Sequence, residues 1–178
     1  MLARGSTIGI LGGGQLARML TIAASRIGYR THIYDPDPDS PAFEMASTST
    51  IGSFSDKNLL RKFMASVEVV TYEFENIPNF TLEEIEKKIK IFPDKRALSI
   101  SQNRIKEKAF FKSLNLQTAD YASVESLEDF LTEIDTIGAP SILKTCEEGY
   151  DGKGQLHITD DTSSNDVSKH LAKGPCIL

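Results

Sequence analysis

The chain has 178 residues, 40% of them hydrophobic and 25% charged, enough apolar material for one large domain or a domain and part of another, which excludes wholesale disorder. Its formal net charge is −5 and it has no long basic run, so nucleic acid is not expected as a partner. No stretch approaches the roughly 18 consecutive apolar residues of a membrane span, and Met1 to Gly5 leads into a strand without a secretory pattern, so a cytoplasmic protein with no membrane partner is expected.

The predicted elements begin with a strand over Thr7 to Leu11, which stops at Gly12-Gly13-Gly14. A helix follows with Leu16, Met19, Leu20 and Ala23 at helical spacing, and Gly28 ends it. Arg30 to Tyr34 reads as a second strand, stopped by the prolines of the segment Asp35 to Pro41, and a short third strand is expected near Thr50-Ile51. Ser55-Asp56 caps a helix carrying Leu59, Leu60, Phe63 and Met64. The valine-rich run Val67 to Tyr72 reads as a strand buried on both faces. Thr81 is expected to cap a helix over Leu82 to Ile89, with Glu84 completing a capping box. Strands alternating with helices imply a doubly wound, mostly parallel α/β unit over residues 1–93.

Phe92-Pro93 marks a boundary, and residues 94–178 read as a second region. It holds helices over Lys95 to Ser101 and Asn103 to Leu114, with Asn115 as a left-handed stop, then a helix from Val124 to Ile134. Ser141 to Thr145 is a strand, Gly149 to Gly154 a glycine-rich loop, and Leu156 to Thr159 a returning hairpin arm. A helix over Asn165 to Lys173 and a strand opening at Cys176 close the chain. Cys146 and Cys176 lack metal-ligand spacing and read as buried or half-buried thiols in a reducing compartment.

Three constellations carry chemistry. Gly12, Gly14 and Ala17 satisfy a Gly-x-Gly-x-x-Ala turn between strand and helix, and Asp35 ends the second strand at the spacing of a ribose ligand. A dinucleotide is one reading; close strand–helix packing is another, and Gln15 crowds the place of a pyrophosphate. In "TYEFEN", Glu73 and Glu75 lie at the carboxyl end of a strand, where ligands of such sheets bind, and share a face if the strand continues; a solvated acidic end is the alternative. In "LKTCEEGYDGKGQ", Lys144 ends a strand before a loop in which Lys153 sits between two glycines, a pattern suited to phosphate oxygens.

Taken together and in this order, "GILGGGQLARM", "TYEFENIP", "NRIKEK" and "LKTCEEGYDGKGQ" resemble the ATP-grasp enzymes of purine synthesis, within them those that carboxylate aminoimidazole ribonucleotide. The resemblance runs from Thr7 to Leu178 but covers only that family's N-terminal domain and its small α+β ATP-grasp subdomain; a truncated architecture is expected, inactive by itself. Ala17 stands where the family often has glycine. The resemblance implies ATP and Mg2+ as cofactors, the metal ligands falling in a region this chain does not match, and aminoimidazole ribonucleotide, ATP and bicarbonate as substrates of a homodimer. It implies that Gln15, Leu16 and Glu73 bind the ribonucleotide, and that ATP meets Arg104, Lys144 and the flap Tyr150, Asp151, Gly152, Lys153, Gly154 and Gln155. Asp35 then caps a turn rather than a ribose. The competing readings are a nicotinamide oxidoreductase and a non-catalytic fragment that needs a second chain.

Overall fold

The computed structural model describes residues 2–148 and 153–178, in two compact units, Met1–Ser99 and Ile100–Leu178. In the first unit β1 (Thr7–Leu11), α1 (Gln15–Arg26), β2 (Arg30–Asp35), β3 (Thr48–Ile51), α2 (Lys57–Met64), β4 (Val69–Tyr72) and α3 (Asn79–Glu86) follow in order. The strands form one sheet in the order β3-β2-β1-β4, every pair parallel. The order reverses between β2 and β4 around β1, so the carboxyl end of β1 is the natural ligand edge.

The two faces of this sheet are packed differently. One is covered by a core that includes Leu11, Tyr34, Phe63, Val70, Ile77, Leu82 and Ile85. Gly9 permits this: a Cβ built there would lie 2.6 Å from the Phe63 ring. The other face carries Ile10, Ala17, Ile33 and Ala42.

Here α1 departs from expectation. Its buried residues are Ala17, Thr21 and Ala24, while Leu16, Met19 and Leu20 are exposed. The small side chains let the helix lie close on the sheet, so the bulky spacing marks its outer face. The run Val67 to Tyr72 also differs: β4 starts at Val69, and only Val70 within it is fully buried.

Asp56 caps α2 as read, accepting from the Asn58 and Leu59 amides. The Thr81 cap is corrected. Pro78 occupies the N-cap of α3, and Thr81 lies inside the helix, its hydroxyl donating to the Phe54 carbonyl at 2.8 Å. Glu84 pairs with Lys87 instead of closing a capping box.

Helix α4 (Lys95–Ser101) has the expected bounds. The second unit holds α5 (Arg104–Ser113), β5 (Ser123–Val124), α6 (Leu127–Ile137), β6 (Ser141–Thr145), β7 (Gln155–Ile158), α7 (Ser164–Leu171) and β8 (Cys176–Ile177). Its sheet runs β5-β8-β6-β7, all antiparallel. Val124, expected in a helix, belongs to β5; α6 starts later because Ser126 and Asp129 form the capping box. Asn115 ends α5 with φ +58, as read. Leu143, Val167 and Cys176 lie in this unit's core.

Candidate functional site

The glycine turn at the end of β1 is shaped by what touches it. Gly12 has φ +97, and a Cβ there would meet a Glu73 oxygen at 2.5 Å and the Phe74 Cβ at 2.8 Å. At Gly14 the same construction meets Glu73 Oε1 at 2.6 Å. Only glycine admits this carboxylate so near the backbone. The Glu73 amide donates to the Leu11 carbonyl at 2.9 Å, fixing the residue where β4 ends beside β1.

Asp35 completes the turn. The Gly13 amide donates to its Oδ2 at 2.7 Å, and the Asp37 amide to its Oδ1 at 2.8 Å. Asp35 therefore does cap a turn, and it also takes an amide that a phosphate-binding loop would leave open. No side chain caps α1 at Gly14, so Glu73 stands at the positive end of the helix. Burial pushes the Glu73 carboxyl above its ordinary value; the Gly14 amide opposes this and the Asp35 charge adds to it. A pyrophosphate placed here would meet two carboxylates, and the repulsion would oppose it.

The structure brings the first three predicted residues together. Gln15 and Leu16 open α1 directly after Gly14, both exposed, and Glu73 touches the Gly14 position. Glu75 does not share a strand face with Glu73, because β4 ends at Tyr72. The arrangement offers an amide with donor and acceptor, an apolar side chain and a half-buried carboxylate, which suits an amine-bearing ligand.

In the second unit Lys144 lies on β6, paired with Gln155 of β7 and Ile177 of β8. Arg104 opens α5. Its backbone amide donates to the Cys146 carbonyl at 3.0 Å and its guanidinium to the Thr145 carbonyl at 2.7 Å. Asn103 caps α5 and donates to Glu147 at 2.9 Å. These bonds tie the start of α5 to the end of β6, so Arg104 and Lys144 line one cleft of about 510 Å³ with Lys108, Tyr121, Ile142 and Ile177. Cationic groups beside an apolar floor suit a planar base with a polyphosphate.

Gly154 has φ +75, and its carbonyl accepts the Thr145 amide at 2.9 Å; Lys153 beside it is exposed. Tyr150, Asp151 and Gly152 lie outside the described residues. Both thiols are buried as read, and burial pushes Cys176 up to about 11 and raises Cys146. Protonated thiols are poor nucleophiles and poor metal ligands. Among the described residues no cluster of three or more His, Cys, Asp or Glu side chains is arranged to hold a metal ion.

Lys108, Tyr121 and Phe74 also stand at these places without a sequence pattern that singles them out. Lys108 lies 5.1 Å from the centroid of the Tyr121 ring, an approach from a helix to a distant loop that no local spacing announces. Phe74 stacks on Phe54 at the mouth of the glycine turn; its only sequence signal is an aromatic side chain between two glutamates.

The chain is similar to known proteins along its whole length. Residues 5–102 match the family model of the ribonucleotide synthetase preATP-grasp domain, and residues 109–178 that of the ATP-grasp domain. The bifunctional purine synthesis protein purC/E of Dictyostelium discoideum is 45% identical over 99% of this chain and 18% of its own length. The N5-carboxyaminoimidazole ribonucleotide synthase of Brucella melitensis is 38% identical, over 99% of this chain and 49% of its own. The solved ADP complex of an N5-carboxyaminoimidazole ribonucleotide synthetase superposes with a TM-score of 0.94 at 36% identity, covering 99% of this chain and 47% of that one. An Aspergillus clavatus N5-carboxyaminoimidazole synthase in complex with ADP and 5-aminoimidazole ribonucleotide gives 0.85 at 25% identity, over 98% and 46%. The chain thus spans about half the length or less of these relatives. It belongs to the ribonucleotide synthetase preATP-grasp family, with ATP-grasp sequence following in the same polypeptide.

Proposed function

We propose that this chain contributes the ribonucleotide-binding and phosphate-contacting parts of an ATP-dependent carboxylation of 5-aminoimidazole ribonucleotide with bicarbonate, a step of purine synthesis. The observation that carries the proposal is the Glu73 carboxylate seated against Gly14 at the ligand edge of the parallel sheet. A carboxylate there accepts a hydrogen bond from an exocyclic amine and repels a pyrophosphate. The Aspergillus relative solved with ADP and this ribonucleotide supports the choice of ligand.

The chemistry explains why each part is needed. Bicarbonate is a poor electrophile. Attack of its oxygen on the γ-phosphorus of ATP breaks the bond to ADP and gives carboxyphosphate; loss of phosphate then delivers carbon dioxide to the amine. The transferring phosphoryl group spreads negative charge over its oxygens, and fixed cations lower that barrier. Arg104 and Lys144 are assigned to ATP, with Lys153, Gly154 and Gln155 beside them, and Tyr150, Asp151 and Gly152 are assigned to the same loop. Gln15 and Leu16 join Glu73 around the ribonucleotide.

Magnesium accompanies ATP in this chemistry, and among the described residues no cluster of His, Cys, Asp or Glu side chains holds it. A cytoplasmic homodimer belongs to the same reading; the exposed Met19 and Leu20 of α1 are a surface a second copy would cover, which light scattering tests. No described helix is long and apolar enough to cross a membrane. The function itself is tested by ADP release from the full-length protein. Release should require both aminoimidazole ribonucleotide and bicarbonate, and release indifferent to the ribonucleotide would overturn the proposal.

A further inference from the structure

Phe74 is 42% exposed and at the same time held on one side by other rings. It stacks on Phe54 with centroids 6.0 Å apart and planes 20° from parallel. Phe54 is buried and lies against the ring of Tyr34, 5.9 Å away. The Phe54 carbonyl accepts the Thr81 hydroxyl, and the Tyr34 hydroxyl donates to the Ser53 carbonyl at 2.7 Å. One face of Phe74 is thereby fixed from below by a column of anchored rings. At its root, the Phe74 Cβ lies 2.8 Å from the place of a Gly12 Cβ, so the side chain leaves the backbone at the glycine turn beside Glu73.

Single exposed apolar rings are ordinary on a protein surface; what sets Phe74 apart is its root at the glycine turn, next to the half-buried Glu73 carboxylate. We infer that Phe74 is a specificity-determining residue that stacks on the planar, electron-rich five-membered ring of the substrate while Glu73 accepts the exocyclic amine. The inference rests on the proposed ribonucleotide reading. Offset stacking favours any flat heteroaromatic ring, and the adjacent carboxylate restricts the choice to one that carries a donor. Glu73 alone accepts from any amine; the ring adds selection for a planar one.

The test uses the 178-residue chain, aminoimidazole ribonucleotide, and ribose 5-phosphate as a control that keeps the sugar phosphate and lacks the ring. By calorimetry, Phe74→Leu should weaken the ribonucleotide about tenfold or more, the scale of base–aromatic stacking. Phe74→Tyr should stay near wild type, and ribose 5-phosphate should bind all three proteins alike. The chain contains no tryptophan, so Phe74→Trp places a single reporter at this position. Its fluorescence should be quenched by the ribonucleotide and not by ribose 5-phosphate, a readout that holds if Phe74→Leu does not fold. Equal ribonucleotide affinity in wild type and Phe74→Leu, or an unchanged Phe74→Trp signal at saturation, would overturn the stacking role alone. No ribonucleotide binding to the wild-type chain would overturn the substrate reading and the inference with it.

Discussion

Asp35 accepts the Gly13 amide at 2.7 Å, and that bond separates this glycine turn from the phosphate-binding turn it matches in sequence. With its other oxygen on the Asp37 amide, Asp35 closes the loop after β2 onto the loop after β1. Asp35→Ala should lower unfolding free energy by about 1.5–3 kcal/mol, the scale of hydrogen bonds to a charged group. Asp35→Asn should lose less, since one acceptor oxygen remains. Urea unfolding measures both, and wild-type stability in Asp35→Ala would contradict the closure.

Glu73 should make the protein less stable as pH rises. Burial raises its folded-state pKa above the ordinary 4.5, so between 4.5 and the folded value the native state binds more protons than the unfolded state. Stability therefore falls as pH climbs through that window, and the ionised side chain is a net cost at neutral pH. Glu73→Gln should raise Tm at pH 7, and the gain should vanish near pH 4.5 and below. A Glu73→Gln variant with lower Tm at pH 7 would show that the Gly14 amide outweighs burial. The substitution should also weaken use of the ribonucleotide with ATP affinity nearly unchanged.

Thr81→Val should be far more damaging than any change at Glu84. It removes the buried hydroxyl that satisfies the Phe54 carbonyl, a loss of about 1–3 kcal/mol. Thr81→Ser should recover most of it. Glu84→Ala breaks an exposed, solvent-screened pair with Lys87, and its effect should be close to nil. A capping box centred on Thr81 would predict similar losses at both positions, and thermal unfolding of the variants distinguishes the two.

The difference at Thr81 shows where sequence reading reached and where it stopped. The alternation of strands and helices was legible because each apolar run ends in its own stop signal, such as Gly12-Gly13-Gly14 or Asp35-Pro36, and parallel order follows from the crossovers. Helix α3 starts earlier than its sequence suggests because Thr81, a good cap by residue type, finds its partner in Phe54, 27 positions away. Strand β5 is two residues long and exists through its pairing with β8, a contact no local pattern encodes. The outward Leu16, Met19 and Leu20 show the limit of periodicity: the spacing identified the helix, but not that Ala17, Thr21 and Ala24 would face the sheet. Among the candidate site residues, the closeness of Glu73 to Gly14 follows from strand order, whereas its raised pKa depends on burial that spacing does not give.

In the full-length protein Lys144→Ala should reduce ATP-dependent turnover about tenfold or more, since a charge-assisted phosphate bond is worth about 1.5–3 kcal/mol. Lys144 is held in the middle of an antiparallel sheet between Gln155 and Ile177, so its direction is set. Lys153 is exposed beside the turn at Gly154, and Lys153→Ala should cost less. Steady-state ATP kinetics of the two variants checks the order, and equal or reversed losses would contradict the assignment.

On the proposed reading the turn from Gly12 to Gly14 serves a ribonucleotide and not a dinucleotide. The most direct measurement is an amide-resolved NMR titration of the 178-residue chain with aminoimidazole ribonucleotide and, separately, with a nicotinamide dinucleotide. The ribonucleotide should shift the amides of Gly14, Gln15 and Glu73 in a saturable manner, and the dinucleotide should leave them in place. Saturation of the Gly12 to Gly14 amides by micromolar dinucleotide would contradict it.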